Sequence, residues 1–354
     1  MKKHIVSIVA MLLTSTAIIS QDVHFSLYGE APSVINPALT GVAYDFRANL
    51  NYKGQWKSLN SAYRTYAANF ETAFKHQKLN KAYLAAGFNF YRDVAGDGKF
   101  GTTSFNLNLA TIIATGKNSK FSVGLTGGAT TRTLKTIEAL TWENQYDGFQ
   151  YQQALPSGEY DQNTTFTRAD FGGGINWHYS ESNLYLSSNN GSRFDLGASF
   201  YHFNSPENSF YGFGNDKQNM RMSGYATAVF CKKGSNLCFA PGLIYQSQGS
   251  AKEVVGSALL KFIINQQSVH TDKEKPFAVS GGFQYRFKDA LIPTCLIEYD
   301  KYALGLAYDI NLSNLTTASK AKGGFEFSLR YNWSPGYGKM IGGSWWGSSH
   351  SSLQ

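Results

Sequence analysis

Beyond residue 19, no stretch of this 354-residue chain offers the roughly 18 consecutive apolar residues that a membrane-crossing helix needs. Past that point the chain cannot cross a bilayer as helices. Cysteine is scarce, three in all, which excludes a fold held by a disulfide framework. Charge is sparse and unblocked. The net +8, or +6 once Lys2 and Lys3 are set aside, is too dispersed for a nucleic-acid surface, whose cations gather on one face. No Pro/Ser-rich linker or charge block interrupts residues 44–333, so that region reads as one domain.

Catalytic signatures are missing as well. His24, His76, His178, His202, His270 and His350 are scattered without zinc-site spacing, and no G-x-S-x-G or Walker sequence occurs. Gly96 to Gly101 matches G-x-G-x-x-G, but no amphipathic helix follows to supply a dipole for a phosphate. Asp45, Asp93 and Asp97 lack the EF-hand ligand pattern for calcium. The expectation is a protein with no enzymatic activity, no cofactor and no metal.

What is present is aromatic residues at 15%, 35 glycines and a mean hydropathy of −0.29. A membrane barrel needs only every second residue to be apolar, so a polar average is compatible with it. The stretch 44–57 has that pattern. Phe46, Ala48, Leu50, Tyr52, Gly54 and Trp56 share one face, while Asp45, Arg47, Asn49, Asn51, Lys53, Gln55 and Lys57 share the other. Ahead of it, Lys2, Lys3 and His4 precede an apolar run to Ile19, with Ser20 before Gln21. Residues 1–20 therefore read as a secretory signal peptide.

The alternation recurs over 64–74, 83–93, 103–115, 120–133, 169–180, 193–203, 219–231, 238–248, 253–265, 276–288, 291–299, 302–312 and 323–333. The fold expected is an all-β outer-membrane barrel of about fourteen antiparallel strands, with twelve as the alternative count. An Arg or Lys facing lipid at mid-membrane costs about 2–4 kcal/mol, which is why the strands keep their charges on one face. A soluble sandwich would need unusually long strands with many exposed aromatic ends.

Connections alternate imperfectly: those after even-numbered strands include short ones around 116–119, 232–237 and 300–301, and the longest, 134–168, falls after an odd one. With the amino terminus in the periplasm, the short turns are periplasmic and rich in lysine: Lys75, Lys78, Lys81, Lys117, Lys120, Lys232, Lys233, Lys273 and Lys275. They meet headgroups and water, or form a basic face that docks an acidic periplasmic partner. In the long outer loop Trp142, Tyr146, Phe149, Tyr151 and Tyr160 form a candidate partner surface, or fold over the pore. Cys231 and Cys238 flank one turn and face the lumen, as a disulfide or as two thiols. Cys295 faces lipid. Pro241 and Pro293 lack ladder donors and are expected near strand ends or bulges.

Several segments resemble the PorP/SprF family of type IX secretion system membrane proteins. The similarity begins in QDVHFSLYGEAPSVINPALTG at 21–41, with Asn36, Pro37 and Gly41, followed by Tyr52, Gln55, Trp56 and Lys57. It continues in YHFNSPENSF at 201–210, around Pro241 and Gln248, and in YRFKDALIP at 285–293. It is strongest in 304–331, with Tyr308, Asp309, Gly324 and Glu326. The resemblance covers nearly the whole chain after residue 20. It implies an outer-membrane barrel serving protein secretion, surface adhesins or gliding motility. The partners it implies are outer-membrane lipid, a secreted substrate or adhesin with its carboxy-terminal sorting domain, and periplasmic ring or lipoprotein components of the machinery. A channel for small or hydrophobic molecules is the alternative. The expected layout is a periplasmic or lumen-plugging segment at 21–43, entering from the periplasmic side, a barrel over 44–333, and a tail at 334–354 that carries Trp345 and Trp346 and departs from the family pattern.

Overall fold

The computed structural model describes residues 22–55, 63–75, 81–96, 98–134, 140, 142–156, 158, 164–181, 191–210, 216–232, 235–265, 275–313 and 322–333. The expected signal peptide and tail, and the family residue Trp56, lie outside the described residues. Fourteen strands follow in chain order: β1 Phe46–Gln55, β2 Tyr63–Phe74, β3 Ala82–Ala95, β4 Phe100–Ala114, β5 Ser119–Leu134, β6 Thr165–Ser180 and β7 Gly191–Tyr201. The second half comprises β8 Arg221–Cys231, β9 Leu237–Gln248, β10 Ala251–Asn265, β11 Phe277–Arg286, β12 Ala290–Tyr299, β13 Tyr302–Asn311 and β14 Lys322–Trp333. Each strand is antiparallel to its chain neighbours, and β14 closes on β1 in unbroken register from Phe46↔Trp333 to Gln55↔Gly324. Closure leaves no unpaired sheet edge, which is the condition for strands to cross lipid.

Side-chain sorting follows the two-residue period. Outside, Leu109 is 66% exposed and Leu50, Leu125, Leu196 and Phe283 are similarly open, forming the surface that lipid covers. Inside, Lys53 is 2% and Glu326 1% exposed. The outer surface also carries a run of rings from Tyr302 through Tyr331, Phe46, Phe70 and Phe88 to Phe105, with centroids 4.8–6.0 Å apart. Such aromatic rows are typical of the girdles of membrane barrels.

The two strand prolines correct the sequence reading. Pro241 and Pro293 sit within β9 and β12 rather than near their ends. The β8–β9 pairing lapses between Thr227↔Gly242 and Phe230↔Phe239, and the β12–β13 pairing lapses between Leu291↔Ile310 and Thr294↔Ala307, each without a shift of register. A closed barrel offers no edge to absorb a missing N–H. The proline therefore breaks the ladder toward one neighbour and keeps it toward the other, as in Ala258↔Pro241 and Phe283↔Pro293. Just past the first lapse, Cys231 and Cys238 are opposed and joined by a disulfide.

Candidate functional site: a lumen filled by residues 22–45

The strands form a wall whose polar face encloses the segment that precedes them. Residues 22–45 descend from the end bearing the long loop to the end bearing the short turns, where β1 begins. The segment thus fills the lumen along its length instead of entering only from the turn side, and residue 22 lies at the loop end. Its local shape follows from two prolines. Pro32 opens a single α-turn, Pro32–Ile35, and Pro37 opens a 3-10 turn, Pro37–Leu39, each at a first position where no N–H is needed. Between them the Asn36 side chain accepts a hydrogen bond from the Ala38 N–H at 2.9 Å.

The upper part is held by charge. The Ser26 and Leu27 N–H groups donate to the two Glu326 carboxylate oxygens at 2.6 and 2.9 Å. Ser26 Oγ donates to Asp309 at 2.8 Å and accepts from Arg286 at 3.0 Å, and Arg286 also reaches Asp309 at 3.1 Å. Lys53 donates to the His24 carbonyl at 3.0 Å and lies 3.9 Å from Glu326. Lower down, Arg330 bridges Glu30 at 2.7 Å and Glu298 at 2.9 Å, and Lys261 completes the chain to Glu298 at 2.6 Å. Buried charges are stable only when paired in this way.

At the loop-end mouth, Asp22 meets His202, Gln218 and Arg221, while its N–H donates to Gln248 at 2.9 Å. The other imidazole nitrogen of His202 is 2.8 Å from Asp170. Burial disfavours the imidazolium, but the Asp22 charge and the hydrogen bonds to Asp170 and Asp22 outweigh it and raise the His202 pKa to about 9. Burial likewise disfavours the Asp22 carboxylate, yet His202 and Arg221 hold it well below the usual carboxylate range.

The lower part is held mostly by neutral groups and shape; two charged groups join them, Arg221 donating to the Val34 carbonyl at 2.9 Å and Glu71 accepting from the Gly41 N–H. Asn36 Nδ2 donates to the Ile175 carbonyl at 2.8 Å and to Tyr225 Oη at 3.0 Å. Wall hydroxyls donate to the segment's carbonyls: Tyr201 to Ser33 at 2.9 Å, Ser199 to Ile35 at 2.5 Å, Ser122 to Ala38 at 2.7 Å and Tyr83 to Gly41 at 3.2 Å. Two glycines are demanded by close approach. A Cβ on wall residue Gly124 would strike the Pro37–Ala38 backbone, and Gly41, at φ +69°, faces the Ala85 methyl.

Of the residues singled out in the sequence, Asn36, Pro37 and Gly41 lie in this segment, and Asp309 and Glu326 grip it from the wall. Tyr308 points outward, and Gly324 sits at the start of β14 opposite Gln55. The long outer loop is separate. There the 3-10 turn Glu143–Gln145 leads into a tip where the Phe149 and Gln150 N–H groups donate to Asp147 at 2.8 Å each, and Tyr151 Oη donates to Gln145 at 3.2 Å. Tyr146 and Tyr151 are exposed, Phe149 is 94% exposed, and Trp142 is half-buried. Tyr160 lies outside the described residues. Asp45 pairs with Lys75 at the turn end and Asp93 bonds Thr65 near the loop end, so these two do not converge. Sequence reasoning missed Asp22, Glu30, Arg286, Glu298 and Arg330. Their signal was general: a charge on a barrel's inner face needs a partner.

A family model described as "Type IX secretion system membrane protein PorP/SprF" matches residues 17–331. No curated protein matches the chain. Among solved structures, the chain is similar to the TodX monoaromatic hydrocarbon channel deltaS2 mutant, at 10% identity and TM-score 0.47, over 86% of this chain and 94% of that one. It is also similar to BamA from Haemophilus ducreyi lacking POTRA domains 1–3, at 10% identity and TM-score 0.41, over 82% and 70%. A third likeness is the translocator domain of the autotransporter NalP from Neisseria meningitidis, at 10% identity and TM-score 0.34, over 87% and 95%.

Proposed function

The chain belongs to the PorP/SprF family of type IX secretion system membrane proteins, and from that premise we propose that this outer-membrane barrel is a docking scaffold rather than a conduit. It binds a secreted protein, through that protein's carboxy-terminal sorting domain, at the cell surface, and engages periplasmic components of the machinery on the other side. It carries out no catalysis. The observation that carries this reading is the filled lumen. A solute crossing the barrel would have to displace a segment anchored by Glu326, Arg330 and Asp309 at one level and by Asn36, Ser122 and Ser199 at another.

Short turns are periplasmic and long loops extracellular in barrels of this kind, which puts Phe149, Tyr146 and Tyr151 outside the cell. Rigid exposed aromatics on a hydrogen-bonded tip offer contact area at low entropic cost, so this tip is the proposed surface for the secreted partner. The test is deletion of the gene followed by measurement of surface display and motility. Loss of display, restored by the wild-type gene, is the expected result; unchanged display and motility would remove the secretion role. In planar bilayers the purified barrel is expected to stay closed. Steady single-channel conductance would favour transport of small molecules instead.

A further inference from the structure

The charge on the periplasmic rim is uneven. The connecting sequences 75–81, between β2 and β3, and 115–120, between β4 and β5, contain Lys75, Lys78, Lys81, Lys117 and Lys120 and no Asp or Glu. The two connections are neighbours, tied by the Ala114 N–H donating to the Lys81 carbonyl at 2.7 Å. The ammonium groups of Lys75 and Lys120 lie over one ring, Tyr83, at 5.3 and 5.9 Å from its centroid. One carboxylate, Asp45, pairs with Lys75. Among the described residues, no ion pair joins Lys81, Lys117 or Lys120 to an acid, and Lys81 and Lys117 are exposed. Across the barrel, the connection before β11 mixes Asp272 and Glu274 with its lysines, and Lys275 lies 3.8 Å from Asp300.

We infer that the periplasmic ends of β2–β5 form a docking surface for an acidic segment of a periplasmic protein, with Lys81 and Lys117 as its exposed contacts and the Lys75–Tyr83–Lys120 unit as its fixed centre. Like charges held this close repel, and an incoming carboxylate relieves that repulsion. Headgroups surround the whole rim and would give no reason to gather five lysines over two adjacent connections, against two in the acid-free connection 232–236, whereas a docked protein meets one side. The inference rests on the proposed secretion role, because it supplies that role's periplasmic contact.

The experiment uses the full chain in zwitterionic nanodiscs and a fluorescent peptide of twelve alternating Glu and Ser residues as probe. Reversing Lys81→Glu and Lys117→Glu together should weaken binding about tenfold, and binding should fall as salt rises, because exposed charges are screened. Reversing Lys232→Glu and Lys301→Glu on other turns should change it less than twofold. Equal effects of the two double reversals, or no effect of the first, overturn the proposal. So does loss of peptide binding when phosphatidylglycerol replaces the zwitterionic lipid, which would assign the sector to anionic headgroups. In cells, the Lys81/Lys117 reversal at normal outer-membrane abundance should reduce surface display. Intact display in that strain, with display lost in the deletion strain, overturns the docking site and leaves the secretion role standing. Intact display in both removes the secretion role itself.

Discussion

Residues 22–30 and residues 33–41 of the enclosed segment meet one continuous wall through different chemistry. The first group is held by carboxylates, guanidinium groups and an ammonium that converge on its N–H groups, carbonyls and side chains. The second is held mainly by neutral hydroxyls and an amide, and by glycines that let backbones touch, with Arg221 on the Val34 carbonyl and Glu71 on the Gly41 N–H as its charged contacts. Charged anchorage is strong and sensitive to any change of protonation or partner. Shape-based anchorage is insensitive to pH and intolerant of added volume.

The largest expected effect tests the charged half. Glu326→Ala would strip the acceptor from two buried N–H groups and remove a counter-charge of Lys53, costing about 3–5 kcal/mol. Thermal unfolding in detergent should fall sharply, and Glu326→Gln should recover part of the loss by keeping one acceptor. In the lower half, Gly124→Val should cost about 2–3 kcal/mol by overpacking against Ala38, and should expose a cysteine placed at Ser33 to a thiol reagent. If the same label stays protected, the close approach is not what seats this half. Next in size is Asn36→Ala, at about 2 kcal/mol, since its amide links Ile175, Tyr225 and Ala38 at once. Its unfolding midpoint should drop equally at pH 7 and pH 10.

The smallest effect is one of pH, and it separates the two halves most cleanly. The folded pKa of His202 lies above its ordinary 6.5, so its contribution is fully present below that value and is lost as pH rises through about 9. The Asp22 carboxylate is depressed, so its contribution is present above the ordinary 3.8 and is lost on acidification below it. Asp22 and Asp170 face the imidazole, with Arg221 beside Asp22 and over the Tyr201 ring. A cysteine at Val23 should therefore become reactive above pH 9, while one at Ser33 should not. Equal reactivity at both sites would mean that the halves move together.

The wall was legible in the sequence because lipid enforces a period of two: a misplaced charge on the outer face is costly, so Phe194, Leu196, Ala198 and Phe200 declare their side without any partner being known. Strand prolines were misjudged because the expectation of strand ends or bulges left out a third arrangement, in which pairing toward one neighbour lapses with no shift of register. The grip on the segment was not legible. Ser26 and Glu326 stand 300 positions apart, and no local pattern links them. Asn36, Pro37 and Gly41 were visible through family resemblance, while the reason for Gly41, the methyl of Ala85 across the lumen, belongs to a contact between distant segments. The outer tip was legible in composition, and its order comes from Asp147, an ordinary acid in sequence that becomes the acceptor for two consecutive N–H groups in the loop.

The strand that completes the ring is also one that clasps the chain's own beginning, since Glu326 and Arg330 of β14 hold Ser26, Leu27 and Glu30 while β14 zips to β1. The seam and the segment therefore depend on the placement of one strand, and a change that shifts β14 disturbs both.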